Sequence, residues 1–557
     1  MSTDSKSELQ VEMSQFARGV FQSKYAFKDA DGNAIEEWPD TALRVTSNVM
    51  GALGYKAGDK EFDAILKLIV ERKFMPGGRY LYASGRPMHQ VQNCLLMRAE
   101  DSREGWATLM HNAGMALQTG AGIGIDYSDV RPSGTPIKKT GGVASGPISL
   151  MKIINEIGRN VMQGGARRSA IWAGLNWKHG DVFKFIAVKD WSPTVRAMKE
   201  DDFFFPADLD MTNISVILDD EFFEAMEDAQ HPWNAHATEV YDKAVRSMIK
   251  TAEPGLSIDT GENAGETLRN ACTEVTSHDD SDICNLGSIN LSRVSTIEEF
   301  EIILNYATLF LLAGTVYSDV PYEQVAVVRE KNRRLGLGLM GIHEWLLQRG
   351  YTYGPNDELA QWLELYSMST EIARVLARRH GLSAPIKTRA IAPTGTIGIV
   401  AETTTGIEPI LCAAYKRRVR EASPEGDRIT ATYVIDPTAK RLLDQGVAPE
   451  NIEDAYMLSY QVDRRMEMQH WVQQYVDHGI SSTINLPAPI IDEFEVNDFK
   501  ETLFNYLPGL RGVTCYPDGV IAGQPITPVG LEWALAHEGE VLVETEEDTC
   551  RGGVCGS

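Results

Sequence analysis

The sequence predicts an α/β fold with parallel strand pairing, and three observations carry that prediction. Short apolar, strand-like runs recur at 255–259, 285–294, 335–342, 389–400 and 483–487, separated by stretches with room for helices. Strands that alternate with helices of ten or more residues pair in parallel, because a parallel neighbour needs a crossover. The composition, 43% hydrophobic and 24% charged over 557 residues, is that of a soluble globular chain with ample core. One large domain with appendages fits this length as well as three small ones, and no internal repeat or low-complexity segment argues for a solenoid.

A formal charge of −25 argues against a protein that coats nucleic acid, so an anionic ligand would need a local basic or amide-rich pocket. The N-terminus lacks the apolar run of a signal peptide. No uninterrupted apolar stretch reads as long enough to span a bilayer, and a cytoplasmic location with no membrane partner is expected. Seven cysteines, at 94, 272, 284, 412, 515, 550 and 555, are few and odd in number, which suits redox, catalytic or buried roles better than a disulfide scaffold. Cys550 and Cys555 are separated by four residues with no second Cys or His pair nearby, so a structural zinc site and any other metal site are not expected.

Residues 1 to about 90 read as mainly helical, with helical apolar spacing over Phe62–Lys73, and 74–79 (Phe-Met-Pro-Gly-Gly-Arg) reads as a turn. A helix is expected from Glu104 to about Gln118, burying Trp106, Leu109, Met110, Ala113 and Leu117. The glycines of Thr119-Gly-Ala-Gly-Ile-Gly124 follow that helix and lead into a strand, the reverse of a dinucleotide-binding loop. Gly141 to Gly146 has Walker-like glycine spacing, but Pro147 stands where the lysine belongs. Pro147 instead opens a helix over 147–162, with Ile148, Met151, Ile154, Ile157 and Val161 on one stripe and Gly164-Gly165 as its stop. That stripe suits a core helix or a subunit interface. The following Gln163 to Ser169, with Arg167 and Arg168 on glycine-softened backbone, suits a phosphate or base edge as well as a solvated turn. Ala392-Pro-Thr-Gly-Thr-Ile-Gly398 offers hydroxyls and N–H groups at a possible helix start. Beyond about 520 the chain turns acidic and aperiodic, and 544–557 reads as a mobile tail.

The densest chemistry lies in Asn270-Ala-Cys-Thr-Glu274. If this stretch is extended, Asn270, Cys272 and Glu274 project to one side. An amide, a thiol and a carboxylate would then converge, a set suited to a hydroxylated substrate. By itself the trio reads more readily as an ordinary loop with a small buried cysteine.

The trio stands just before Cys284-Asn-Leu-Gly-Ser-Ile-Asn-Leu291, and together they resemble the radical loop of ribonucleotide reductase large chains. Further stretches match the same family in order: 93–96 (Asn-Cys-Leu-Leu) with Asp101-Ser102, the Gly-Ile-Gly and Arg131-Pro132 segment, Gly164-Gly-Ala-Arg-Arg168, 332–338 (Asn-Arg-Arg-Leu-Gly-Leu-Gly), 392–396 (Ala-Pro-Thr-Gly-Thr) with Gly406-Ile-Glu-Pro409, and Ser481-Ser-Thr-Ile-Asn-Leu-Pro487. They span roughly residues 60–520.

The resemblance implies a ten-stranded α/β barrel of two antiparallel halves, each of five parallel strands, with the 270–274 loop inside. It implies an N-terminal helical region over 1–92 with no ATP cone and no dATP off-switch, a barrel over 93–525 and a flexible redox tail over 526–557. By the same resemblance Cys272 becomes the thiyl radical and Glu274 the base at the 3′ hydroxyl. Asn270 holds the substrate, and Cys94 with Cys284 reduces the 2′ carbon and closes to a disulfide. Cys550 and Cys555 match the pair that shuttles electrons from a thioredoxin- or glutaredoxin-like reductant. Thr394, Gly395, Thr396 and Ile397 would cradle ribonucleotide phosphates, a diphosphate by the form of the motif. Asp101 and Arg131 would hold a deoxynucleotide effector (a dNTP or ATP), 163–169 would relay its identity, and helix 147–162 would pair across a homodimer.

For the radical source, Tyr516 within Gly512-Val-Thr-Cys-Tyr-Pro-Asp-Gly519 resembles the segment of the adenosylcobalamin-dependent class, although Pro517 replaces its usual arginine. The alternative is a chain that receives its radical, through Tyr516 as transfer residue, from a separate metal-bearing beta subunit. Cys412 and Cys515 have no role in this scheme, and buried filler is expected of Cys412.

Overall fold

The computed structural model describes residues 12–544 except 139–140, 162–168, 203–204, 422–427, 488–489, 491, 519–525 and 538–540. Its strands, in chain order, are β1 Phe74–Pro76, β2 Cys94–Arg98, β3 Gly122–Asp126, β4 Ile171–Asn176, β5 Thr212–Asp219, β6 Gly255–Asp259, β7 Leu268–Arg269, β8 Thr276–Ser277, β9 Asp282–Asn290, β10 Leu335–Met340, β11 Ala414–Glu421, β12 Arg428–Ile435, β13 Thr483–Leu486, β14 Gly512–Pro517, β15 Ile526–Pro528 and β16 Val541–Glu544.

Ten of these form the main sheet, in the order β1-β9-β2-β3-β4-β5-β6-β14-β13, with β10 on the other side of β9. Strands β2 to β6 are all parallel. So are β9 with β10 and β13 with β14. The set of five meets each of the two pairs antiparallel, β2 against β9 and β6 against β14. Their near-continuous burial is what strands covered by helices on one face and by chain on the other require. Among the described residues the ladders do not close into a ring: between β10 and the segment leading into β13 these residues form two single parallel bridges, Leu337 to Arg389 and Ile391 to Ile480. The run expected as a strand over 389–400 is therefore two bridged positions followed by a short helix, Gly395–Ala401.

The tenth strand of the sheet is instead β1. Residues 74–76, expected as a turn, pair antiparallel with 287–289. Phe74 and Met75 are fully buried, and that apolar pairing outweighs the turn signal of the Pro-Gly-Gly that follows. The helices Gln15–Lys24, Trp38–Gly51 and Lys60–Val70 share one core with β9, β10 and the helix Ile297–Tyr317, so residues 15–92 pack into the body of the fold.

That last helix corrects a second expectation. By length and composition Ile297–Tyr317 could cross a bilayer, and 67% of its most apolar window is buried here. Thr308 and Thr315 return their hydroxyls to the carbonyls of Leu304 and Leu312, so they cost the core little despite interrupting the apolar run.

The boundary of the tail is also earlier in the expectation than in the fold. Residues 526–544 carry β15, a short helix Leu531–Ala536 and β16, which flank the β11–β12 hairpin in a four-stranded antiparallel sheet. The expected helix over 147–162 runs Pro147–Asn160, and the one over 104–118 runs Arg103–Thr119.

Candidate active site

Cys94 opens β2 and Cys284 lies on β9, and the antiparallel register sets them directly opposite each other. Opposed residues in such a pair hold their Cα atoms ~4.5–5.5 Å apart, inside the ~4.4–6.8 Å that a disulfide spans. Both are buried free thiols. Burial pushes both well above the usual thiol range, and the nearby Glu274 carboxylate pushes them further.

Glu274 arrives on a hairpin, β7 paired with β8, whose loop is 270–275. The loop is not extended. The Thr273 N–H donates to the Asn270 carbonyl at 3.0 Å, and Thr273 adopts φ +69°, so 270–273 is a turn. Period two therefore does not apply, and the three side chains do not line one strand face. Asn270 and Glu274 are buried while Cys272, at the crown of the turn, is exposed. The Asn270 Oδ1 accepts the Val275 N–H at 3.0 Å, which ties the two ends of the turn together.

The Cys94 thiol donates to Glu274 Oε1 across 4.0 Å, and Oε2 has no partner among the described residues. Burial raises this carboxyl to about 7, partly opposed by hydrogen bonds from its own backbone and from Asn270. At neutral pH it is thus divided between acid and base. An orphan carboxylate oxygen in a dry site costs stability, and its presence marks a group kept available for a ligand.

Glycine makes room for this hairpin. A Cβ on Gly124 would stand 1.8 Å from the Arg269 carbonyl oxygen, and one on Gly122 would stand 3.1 Å from the Ala271 Cβ. The glycines set aside as a nucleotide loop are the floor on which the hairpin backbone lies. On the other side, Gly479 donates its N–H to the Glu274 carbonyl at 2.7 Å, and its own Cβ position lies 3.3 Å from that oxygen. The hairpin is held from β3 and from the segment leading into β13.

Beyond that segment opens a cavity of about 990 Å³, lined by Ser481, Thr483, Asn485, Tyr516 and Asp518 on one side and by Phe16, Ile399, Leu411 and Tyr456 on another. Pro393, Gly398 and Thr403 to Thr405 also line it. Thr394 caps the Gly395–Ala401 helix at φ +50°, its hydroxyl accepting the Gly406 N–H at 3.0 Å. Thr394 and Ile397 are buried, whereas Gly395 and Thr396 are exposed. The first N–H groups of the helix have no acceptor within it.

Asp101 and Arg131, 30 positions apart, meet in an ion pair of 2.7 Å at a half-exposed position away from the hairpin. Cys515 packs in the core on the far side of β14 from Tyr516, while Cys412 is buried in the cavity wall. Gln163, Arg167, Arg168, Cys550 and Cys555 lie outside the described residues.

Two residues of the site were given no role by the sequence. Glu408, inside the Gly-Ile-Glu-Pro run, accepts the Thr483 N–H at 2.6 Å and the buried Arg465 at 2.5 Å, tying the cavity wall to β13. His478 is fully buried and bonds the hairpin at Thr276. Neither contact joins residues close enough in the chain for periodicity to reveal it.

The ribonucleotide reductase barrel-domain model matches residues 92–236, 233–377 and 361–516. The chain is 25% identical to the vitamin B12-dependent ribonucleoside-diphosphate reductase of Mycobacterium tuberculosis, over 95% of this chain and 82% of that protein. It is 27% identical to the protein of the same name from Thermoplasma acidophilum, over 84% and 66%. It is 24% identical to the vitamin B12-dependent ribonucleotide reductase of Streptomyces clavuligerus, over 84% and 60%. A buried thiol pair in register, a poised carboxylate beside it and a family match over most of the chain agree: this chain belongs to the ribonucleotide reductase barrel-domain family.

Proposed function

We propose that the chain reduces ribonucleoside diphosphates to 2′-deoxyribonucleotides through a thiyl radical at Cys272, with adenosylcobalamin as the radical source. The observation that carries this reading is the register of Cys94 against Cys284 with the Glu274 carboxylate 4.0 Å from the Cys94 sulfur. Two thiols supply two electrons and two hydrogens, and an adjacent base serves a hydroxyl. Replacing a carbon-bound hydroxyl by hydrogen requires that set.

In this reading Cys272, exposed at the crown of the turn, takes the 3′ hydrogen as a hydrogen atom. Glu274 accepts the 3′-hydroxyl proton, which a carboxyl near 7 can do at neutral pH. The 2′ hydroxyl leaves as water with a proton from the Cys94–Cys284 pair, whose burial keeps both sulfurs protonated until that moment. The second hydrogen of the pair goes to the 2′ carbon as the pair closes to a disulfide and its two electrons pass to the sugar, Glu274 returns its proton to the 3′ oxygen, and Cys272 returns its hydrogen to the 3′ carbon. Thr394 to Ile397 bind the phosphates at the start of the 395–401 helix.

The 990 Å³ cavity lies at the upper end of the ~300–1,000 Å³ of small-molecule sites. Its polar row on β13 and its exposed apolar rim suit a large ligand with a heteroaromatic portion. Tyr516, Asn485 and Asp518 on the wall, with Tyr456 and Leu411 at the rim, would hold adenosylcobalamin. When bound, that group supplies the one-electron chemistry that oxidises a thiol. The two single bridges at 389–391 and 480 support a closed ten-stranded barrel in which the hairpin is enclosed. The Asp101–Arg131 pair supports an effector site, whose relay the resemblance assigns to 163–169, and the Pro147–Asn160 helix supports a homodimer face with Ile153 exposed upon it. Cys550 and Cys555 are assigned to electron entry from a thioredoxin-like protein.

Incubating the purified chain in the dark with a ribonucleoside diphosphate, dithiothreitol and adenosylcobalamin tests the assignment. Deoxynucleotide with cobalamin as the sole addition supports it. Product only with a second, metal-loaded protein overturns the cofactor, and no product under either condition overturns the activity.

A further inference from the structure

We propose that His478 is a positioning residue that fixes the hairpin carrying Cys272 and Glu274 by accepting the Thr276 backbone N–H, while its neighbour Gly479 donates to the Glu274 carbonyl. This rests on the reading of Cys272 and Glu274 given above and extends it to what holds them in place. The Thr276 N–H meets His478 Nδ1 at 3.2 Å, and the Gly479 N–H meets the Glu274 oxygen at 2.7 Å. Two consecutive residues therefore grip the chain on both sides of Val275, as an adjacent strand would, with an imidazole nitrogen standing in for one carbonyl.

The gripping segment is itself anchored. His478 N–H donates to the Arg389 carbonyl, Ile391 N–H to the Gly479 carbonyl, and Gln473 Nε2 to the His478 carbonyl at 2.9 Å. The neighbouring Asp477 carboxylate accepts the Thr388 and Arg389 N–H groups. The clamp thus transmits the position of the segment leading into the cavity-lining strand β13 to the base and the radical thiol.

An acceptor at Nδ1 must be unprotonated, so the ring must stay neutral. Its surroundings enforce this: His478 is fully buried and faces Arg334, Lys387, Arg389 and Arg269, which together with burial hold it well below the usual imidazole range. Nε2 then carries the proton and finds no acceptor among the described residues.

Three variants of the full chain test this. His478→Asn places an acceptor where Nδ1 stands, His478→Leu keeps the volume without any acceptor, and His478→Gln moves the acceptor toward Nε2. Thermal melting confirms folding, amide hydrogen exchange on the 268–277 peptide reads the clamp, and ribonucleotide reduction with adenosylcobalamin and dithiothreitol across pH reads its consequence. In H478L, hairpin exchange is expected to quicken about tenfold, the loss of one buried hydrogen bond. Its kcat should fall at least as far while substrate KM stays within about twofold of the parent. The acid limb of kcat should move toward ordinary carboxylate values as water reaches Glu274. H478N should recover most of both effects, and H478Q should follow H478L. If H478L fails to fold, H478Q against H478N carries the comparison. Exchange and kcat within about twofold of the parent in a folded H478L or H478Q overturn the clamp. A parent that makes no deoxynucleotide overturns the functional reading instead, and the exchange measurement still decides whether His478 holds the hairpin.

Discussion

Glu274 gives the sharpest quantitative test, because one buried carboxyl controls both a rate and a stability with opposite signs. Its carboxyl sits near 7 because burial disfavours the charge. If the ionised form is the base, the active fraction is about 0.09 at pH 6 and about 0.91 at pH 8, a rise in kcat of about tenfold. A carboxyl at its ordinary value would change kcat by only about 3% over the same interval. Glu274→Gln removes the base and should cost ~10²–10⁴ in kcat with a flat profile. Stability moves the other way. A carboxyl raised in the fold costs nothing at a pH where it is protonated in both states, and the cost grows from about 4.5 upward and is complete above about 7. The shift corresponds to about 3 kcal/mol, so E274Q should melt with the parent at pH 4 and well above it at pH 8. Single-turnover reduction from pH 6 to 8 and melting curves at both extremes measure the two effects. A parent rate flat across that interval, or an E274Q melt that gains nothing at pH 8, refutes the assignment of Glu274 as a buried base.

The remaining predictions concern the neighbours of that group. Mild oxidation followed by peptide mapping should yield a Cys94–Cys284 disulfide in preference to any bond to Cys272, and C94S or C284S should abolish deoxynucleotide formation; a mapped bond between Cys94 and Cys272 would contradict the register argument. Gly124→Ala drives a methyl into the Arg269 backbone carbonyl and should cost at least ~1–3 kcal/mol and most of the activity, whereas an unaltered melt would show that the hairpin does not lie on β3 as described. Replacing Cys550 and Cys555 together by Ser should spare turnover with dithiothreitol and remove turnover with thioredoxin; equal loss with both reductants would mean that the pair is not an electron relay.

Much of the fold was legible where a strand is buried on both faces. Gly255–Asp259 and Leu335–Met340 read as apolar runs because helices cover one side and the hairpin or its neighbours the other. What stayed hidden depends on partners far along the chain. Strand β1 has three residues and is defined by β9, more than 200 positions on. The β11–β12 hairpin is completed by strands of three and four residues near the C-terminus, too short for a period to show. Of the site, residue types were readable and geometry was not. Cys272 and Glu274 stood out by spacing, yet the spacing suggested a strand, and only the Thr273 turn with Gly479 and Gly124 pressed against it explains their placement.

That turn bears on why one thiol among three is exposed. An extended 270–274 would have put the sulfur of Cys272 on the same face as Glu274, and Glu274 already contacts Cys94. Three sulfurs on one buried face would let Cys272 join a disulfide with either partner, a two-electron loss of the group that the proposed mechanism uses for one-electron chemistry. Turning the chain at Asn270–Thr273 carries Cys272 outward while the bond from Asn270 to Val275 keeps Glu274 inward. In the proposed mechanism a sugar lying across the turn meets the Cys272 sulfur at one carbon and the Cys94–Cys284 pair at the next. The positive φ at Thr273, a conformation of ~1 kcal/mol or more for a β-branched residue, is compensated by the ladder of β7 and β8 and by the Gly479 bond. The separation of the two chemistries is thus bought with backbone strain at a single residue.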